Sequence, residues 1–153
     1  MSEKGLTFLG KNGNRLGLSN KMNHAKNVGI QLSATFILGG KNENEQDIKE
    51  IVEYAKSLPL SFAHFNPLFI YPGTPLYDEI YSTPDAWVKD VIESNLPWGE
   101  IVYENELLKT KDLLKWIEYA YHEFYKDSPY LNENMVKDRF NLSLKGEIVN
   151  ENI

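Results

Sequence analysis

Residues 29–77 read GIQLSATFILGGKNENEQDIKEIVEYAKSLPLSFAHFNPLFIYPGTPLY, and the order of patterns in this stretch decides the fold. Residues 31–38 form a mostly apolar run, the pattern of a strand buried on both faces. Gly39 and Gly40 end it. Asn42 or Asn44 can cap a helix that follows, and Glu43, Glu45 and Asp47 complement the positive end of its dipole. Ile48, Ile51, Val52, Ala55 and Leu58 recur at helical spacing and make one apolar stripe. Pro59 closes that helix, and residues 61–68 read as a second strand with His64 inside it. A strand, a helix and a strand joined by a short return make a βαβ unit. The two strands are therefore expected to be parallel, with a right-handed crossover.

The pattern continues on both sides. Pro72-Gly73 fits a type II turn, after which Thr74 can cap a helix that opens on Pro75. Residues 84–93 read as another short helix, and residues 95–103 as a loop or edge strand. Over 110–126 a longer helix is expected, capped by Thr110, with Asp112 in its first turn and Leu113, Ile117, Ala120, Tyr121 and Phe124 as its stripe. Pro129 would end it, residues 132–140 would form a last helix and residues 141–153 a polar tail. Upstream, four glycines break any period in residues 1–20, which reads as a loop, and residues 21–28 form a short helix stopped at Gly29.

Composition narrows the possible chemistry. At 153 residues the chain is one domain or a piece of one, and 42% hydrophobic residues suffice for a core. Its net charge of −6, with no basic run or stripe, argues against nucleic acid and against an anionic membrane surface. No secretory signal is visible at the start and no apolar run approaches a membrane span, so cytoplasm is the default location. There is no cysteine. Disulfides, cysteine-held zinc and a self-supplied iron–sulfur cluster are therefore excluded for these residues. His24, His64 and His122 lack ligand-like spacing, and no Walker loop, nucleophile elbow or dinucleotide fingerprint is present.

Two motifs carry a family resemblance. Gly29 and Ile30, then Phe36, Ile37, Leu38 and Gly39, then Glu43, Asp47 and Ile48 are similar to the fifth strand and exit loop of radical S-adenosylmethionine (radical SAM) enzymes. Pro67, Tyr71, Pro72, Gly73, Thr74, Pro75, Leu76 and Tyr77 resemble the pattern that ends the sixth strand. Farther on, Ala120, Phe124, Tyr125, Pro129 and Leu131 are similar to the helical tail of radical SAM proteins of the cobalamin-binding-domain type. The resemblance covers roughly residues 29–140. Two departures stand out: Lys41-Asn42 replaces a usual Pro-Gly, and Thr35 stands where one version has glycine.

The resemblance implies an α/β fold: the last two or three units of a partial (β/α) TIM-like barrel, followed by helices. Residues 1–83 would be the partial barrel, 84–140 a C-terminal helical extension and 141–153 the tail. It implies S-adenosyl-L-methionine and a 4Fe–4S cluster as cofactors of the parent family. Ile37, Gly39, Glu43, Pro67 and Leu68 would then lie along the cofactor, with Glu43 shaping the loop. Three thiolates hold such a cluster, so this chain alone is expected to bind neither cofactor. Its expected partner is the missing N-terminal half, or a separate radical SAM chain that carries C-x-x-x-C-x-x-C. The alternative is a non-catalytic interaction module that completes a barrel with a cysteine-bearing partner. A blander reading of the same residues also stands. Phe36–Leu38 would be core, Gly39-Gly40 a turn, the Tyr-Pro-Gly-Thr-Pro run a turn and cap, and His64 a lining histidine.

Overall fold

The computed structural model describes residues 15–94 and 100–127. Residues 1–14, 95–99 and 128–153 lie outside the described residues, and with them the expected helix over 132–140 and the tail. The described elements are α1 (Arg15–Asn27), β1 (Ser33–Leu38), α2 (Glu45–Ser57), β2 (Phe62–Pro67), α3 (Pro75–Ile80), α4 (Pro84–Glu93) and α5 (Thr110–Tyr125).

β1 and β2 pair in parallel, from Ser33 opposite Phe62 to Leu38 opposite Pro67, with α2 between them in the chain. The expected βαβ unit is present. Among the described residues the sheet has two strands and shows no barrel closure, so the fold is mixed α/β.

Local chemistry accounts for the helix ends. The Asn44 side chain accepts from the Gln46 and Asp47 N–H groups, and Asp47 returns a bond to the Asn44 N–H. That reciprocal box satisfies donors the first turn leaves free. Thr74 and Thr83 cap α3 and α4, each followed by proline at the first position. Gly73 has φ of +81° and the Thr74 N–H donates to the Tyr71 carbonyl, as a type II turn requires. Thr110, however, is the first helical residue of α5 rather than its cap. Lys109 stands at the cap without a side-chain bond, and the Thr110 N–H donates to Glu104 Oε1 at 2.8 Å. α1 also starts earlier than its sequence suggests.

The core lies on one side of the sheet. Phe36, Leu38, Ala63 and Phe65 pack with the α2 stripe and with Leu113, Ile117 and Ala120 of α5. Phe36 stacks on Phe65, with ring centroids 5.4 Å apart. Double-sided burial of β1 is thus corrected: burial alternates along both strands. α5 also bonds the sheet directly. The Tyr125 hydroxyl accepts from the Ala63 N–H and donates to the Ala63 carbonyl, both at 2.8 Å. The Tyr121 hydroxyl accepts from the Phe65 N–H at 3.2 Å.

Candidate functional site

Alternation places Ser33, Thr35 and Ile37 of β1 and Phe62, His64 and Asn66 of β2 on the face away from α2 and α5. Ser33, Thr35, Phe62 and Asn66 are exposed there, while Ile37 and His64 are half-buried. Thr35 stands beside His64 and Ile37 beside Asn66. A sheet face of this makeup offers apolar contact from Ile37 and Phe62 and hydrogen bonds from two hydroxyls, an imidazole and an amide. Open α/β sheets bind ligands beyond the carboxyl ends of their parallel strands, and Ile37, Asn66 and Pro67 lie at those ends.

The β1 exit loop is held from within. Gly39 has φ of +84°, a conformation that favours glycine, and a Cβ there would lie 2.5 Å from Leu113 Cδ2. The glycine thus answers to the packing of α5 as well as to the turn. Glu43 is fully buried, and its Oε2 accepts the Gly40 N–H at 2.8 Å. Buried Asn105 reaches in from far along the chain. Its Nδ2 donates to the carbonyls of Gly40 and Glu43, at 2.8 and 3.0 Å. Its Oδ1 accepts from the Leu107 and Leu108 N–H groups. The Asn-Glu-Leu-Leu run has the form of an Asx turn, which makes half of that role legible in the sequence. On the surface of the same loop Lys41 Nζ meets Glu79 Oε1 of α3 at 2.6 Å, and the side-chain hydrogen bond holds the ammonium pKa above its ordinary value.

A second apolar cluster backs the strand ends. Leu68, Ile70 and Leu76 are buried, with Ile37, Tyr77, Tyr81, Ile101 and Tyr103 packed on them. Phe69 forms an isolated antiparallel bridge with Val102, in the segment 95–103 expected as a loop or edge strand, and no further strand of the sheet is formed there among the described residues. Burial, and then a 2.8 Å hydrogen bond to Asp90, push the Tyr81 phenol up to about 12.

The five residues expected along a cofactor thus separate by position. Ile37 and Pro67 are half-buried at the strand ends, whereas Leu68 is core. Gly39 and Glu43 belong to the locked loop. Among the described residues no group of three His, Asp or Glu side chains could hold a metal ion, and the chain has no cysteine. No described helix is long and apolar enough to cross a membrane. The residues present do not fit an iron–sulfur cluster.

No protein-family model matches the chain. No solved structure matches it either. Among curated proteins, an uncharacterized methyltransferase of Pyrococcus horikoshii is 29% identical over 73 residues, which is 48% of this chain. The match takes in 16% of that relative's own length.

Proposed function

We propose that this chain supplies two adjacent strands of a radical SAM barrel wall, and that a cysteine-bearing polypeptide supplies the remainder. The observation that carries the reading is a parallel βαβ unit with α2 and α5 packed on one face of its sheet, while Ser33, Thr35, Phe62 and Asn66 stay exposed on the other and only Ile37, at the strand end, meets the α3 cluster. A barrel strand has this character: its helix-facing residues are core, and its other face looks into the lumen. The named relative is a methyltransferase, and S-adenosylmethionine as methyl donor agrees with the cofactor that the resemblance implies. Ile37 and Pro67 would border the adenine, with Leu68 packed behind them and Gly39 and Glu43 fixing the loop. The cluster would be held wholly by the partner's thiolates, because this chain has none. In this reading the chain orients the cofactor and starts no reaction by itself.

The test uses the full chain, alone and co-expressed with a barrel polypeptide that carries the cysteine motif. Alone, it should take up no cluster during anaerobic reconstitution with iron and sulfide, and should show no micromolar affinity for S-adenosylmethionine by calorimetry. Co-expressed, it should copurify, and Ile37→Asp should weaken binding of S-adenosylmethionine by the pair. Cluster uptake or micromolar binding by the lone chain would overturn the reading.

A further inference from the structure

The two edges of the sheet differ. The Phe62 N–H donates to the Leu32 carbonyl at 3.1 Å, and the Leu68 N–H to the Leu38 carbonyl at 2.8 Å. Backbone groups alternate sides along a strand. The backbones of Ala63, Phe65 and Pro67 therefore face away from β1, and those of Ser33, Thr35 and Ile37 face away from β2. No outward N–H on β2 is left to pair with another strand. Tyr125 binds both backbone groups of Ala63, Tyr121 binds the Phe65 N–H, and Pro67 has no N–H. On β1, among the described residues, the outward groups of Ser33, Thr35 and Ile37 make no hydrogen bond.

An unblocked edge is a template for another strand. Charges commonly guard such edges, yet residues 27–40 carry none. Two copies with a net charge of −6 each can therefore approach here without like charges meeting at the contact. Val28 and Ile30, in the segment leading into β1, and Phe62, opposite Ser33, are exposed apolar side chains at this end of the sheet. The edge is also suited to a two-fold axis. With Thr35 opposite Thr35 of a second copy, Ser33 meets Ile37 on each side, giving about six hydrogen bonds.

We propose that the chain pairs edge to edge with a second copy of itself, antiparallel through Ser33–Thr35–Ile37. The product is a four-stranded sheet that closes as a dimer. Both of its outer edges are β2 edges, sealed by Tyr121, Tyr125 and Pro67, so the assembly stops at two. A contact of this size is weak and readily displaced. The same edge is where the proposed barrel partner would join, and the second copy occupies it when that polypeptide is absent.

The experiment is sedimentation equilibrium of the full chain from micromolar to millimolar concentration, together with amide hydrogen exchange. A monomer–dimer equilibrium is expected, with nothing larger. Ser33, Thr35 and Ile37 amides should exchange about tenfold or more slower in the dimer, while Ala63 and Phe65 amides stay protected at every concentration. Thr35→Lys keeps the backbone and sets like charges across the axis, so it should weaken the dimer about tenfold or more. Thr35→Pro should abolish it. A monomer at all concentrations, growth past the dimer, or wild-type dimerisation by Thr35→Lys would each overturn the proposal. None of these readouts involves S-adenosylmethionine or a cysteine-bearing chain, so the proposed function can fail or stand separately.

Discussion

Replacing Tyr125 by phenylalanine removes one hydroxyl and leaves two backbone groups without their partner. Ala63 is fully buried and its N–H and C=O both bond that hydroxyl at 2.8 Å. Each buried group left unsatisfied costs about 1–3 kcal/mol, so Tyr125→Phe should destabilise the fold by about 2–6 kcal/mol in total. That is a large part of the roughly 5–15 kcal/mol that holds a domain together. The ring itself is retained, so its packing on Phe124, 4.8 Å away between centroids, is kept and the loss reports on the hydroxyl. Tyr121→Phe is the internal control. It breaks a bond to one N–H, at 3.2 Å, and should cost about 1 kcal/mol. Urea unfolding of both variants, with unchanged denaturant slope, gives the two values. Ala63 amide exchange should accelerate in Tyr125→Phe alone. A Tyr125→Phe variant within about 0.5 kcal/mol of wild type, or no costlier than Tyr121→Phe, would refute the ordering.

Three further outcomes follow from the same geometry. Gly39→Ala combines a left-handed backbone with a Cβ set 2.5 Å from Leu113 Cδ2, and should cost about 2–4 kcal/mol by thermal unfolding, less in a Leu113→Ala background. Asn105→Ala removes a donor from two carbonyls, of which that of Gly40 keeps the Glu43 N–H, and an acceptor from two N–H groups around the β1 exit loop, with an expected loss of about 2–4 kcal/mol and faster exchange at Leu108. The Tyr81 phenol should titrate near 12 by ultraviolet absorbance, against 10.0 unperturbed, and lower in Asp90→Asn. Because its folded value is the higher one, the stability it adds is complete below pH 10 and is lost as pH rises through about 12.

Much of the fold was legible because its signals are local. The α2 stripe and the turn at Pro72-Gly73 each depend on a few neighbouring residues and formed as read, and of the two candidate caps, Asn42 and Asn44, it is Asn44 that caps α2. The second half of α1 was legible as a short helix over 21–28, but its start at Arg15 was not, because the helix presents no apolar stripe, although Met22 packs against the core. Thr110 looked like a cap by residue type, but Glu104 takes its N–H from upstream, a choice made by loop geometry. The apolar run in β1 suggested two buried faces, since Ile37 is as hydrophobic as Phe36 and Leu38. In β2 the polar His64 and Asn66, alternating with Ala63 and Phe65, did carry the one-sided pattern.

The site is legible only in part. Gly39 and Glu43 stood out by motif, yet what they do depends on Leu113 and Asn105, which nothing nearby in the sequence connects to them. Tyr121 belongs to the apolar stripe expected of α5, a pattern that assigns no bond to its hydroxyl or to that of Tyr125. Their spacing of four residues matches the alternate N–H groups of a strand, but only the packed fold places helix against strand. The open face of the sheet emerges from register, and register is a property of two segments together.

Thiol labelling of the uncovered sheet face tests the central claim most directly, since the chain has no cysteine of its own. Thr35→Cys should react with a maleimide at nearly the rate of a free thiol, and Ala63→Cys, facing the helices, only on unfolding. Protection at position 35 equal to that at position 63 would mean that both faces are covered, and the chain could not be the lumen wall of a barrel.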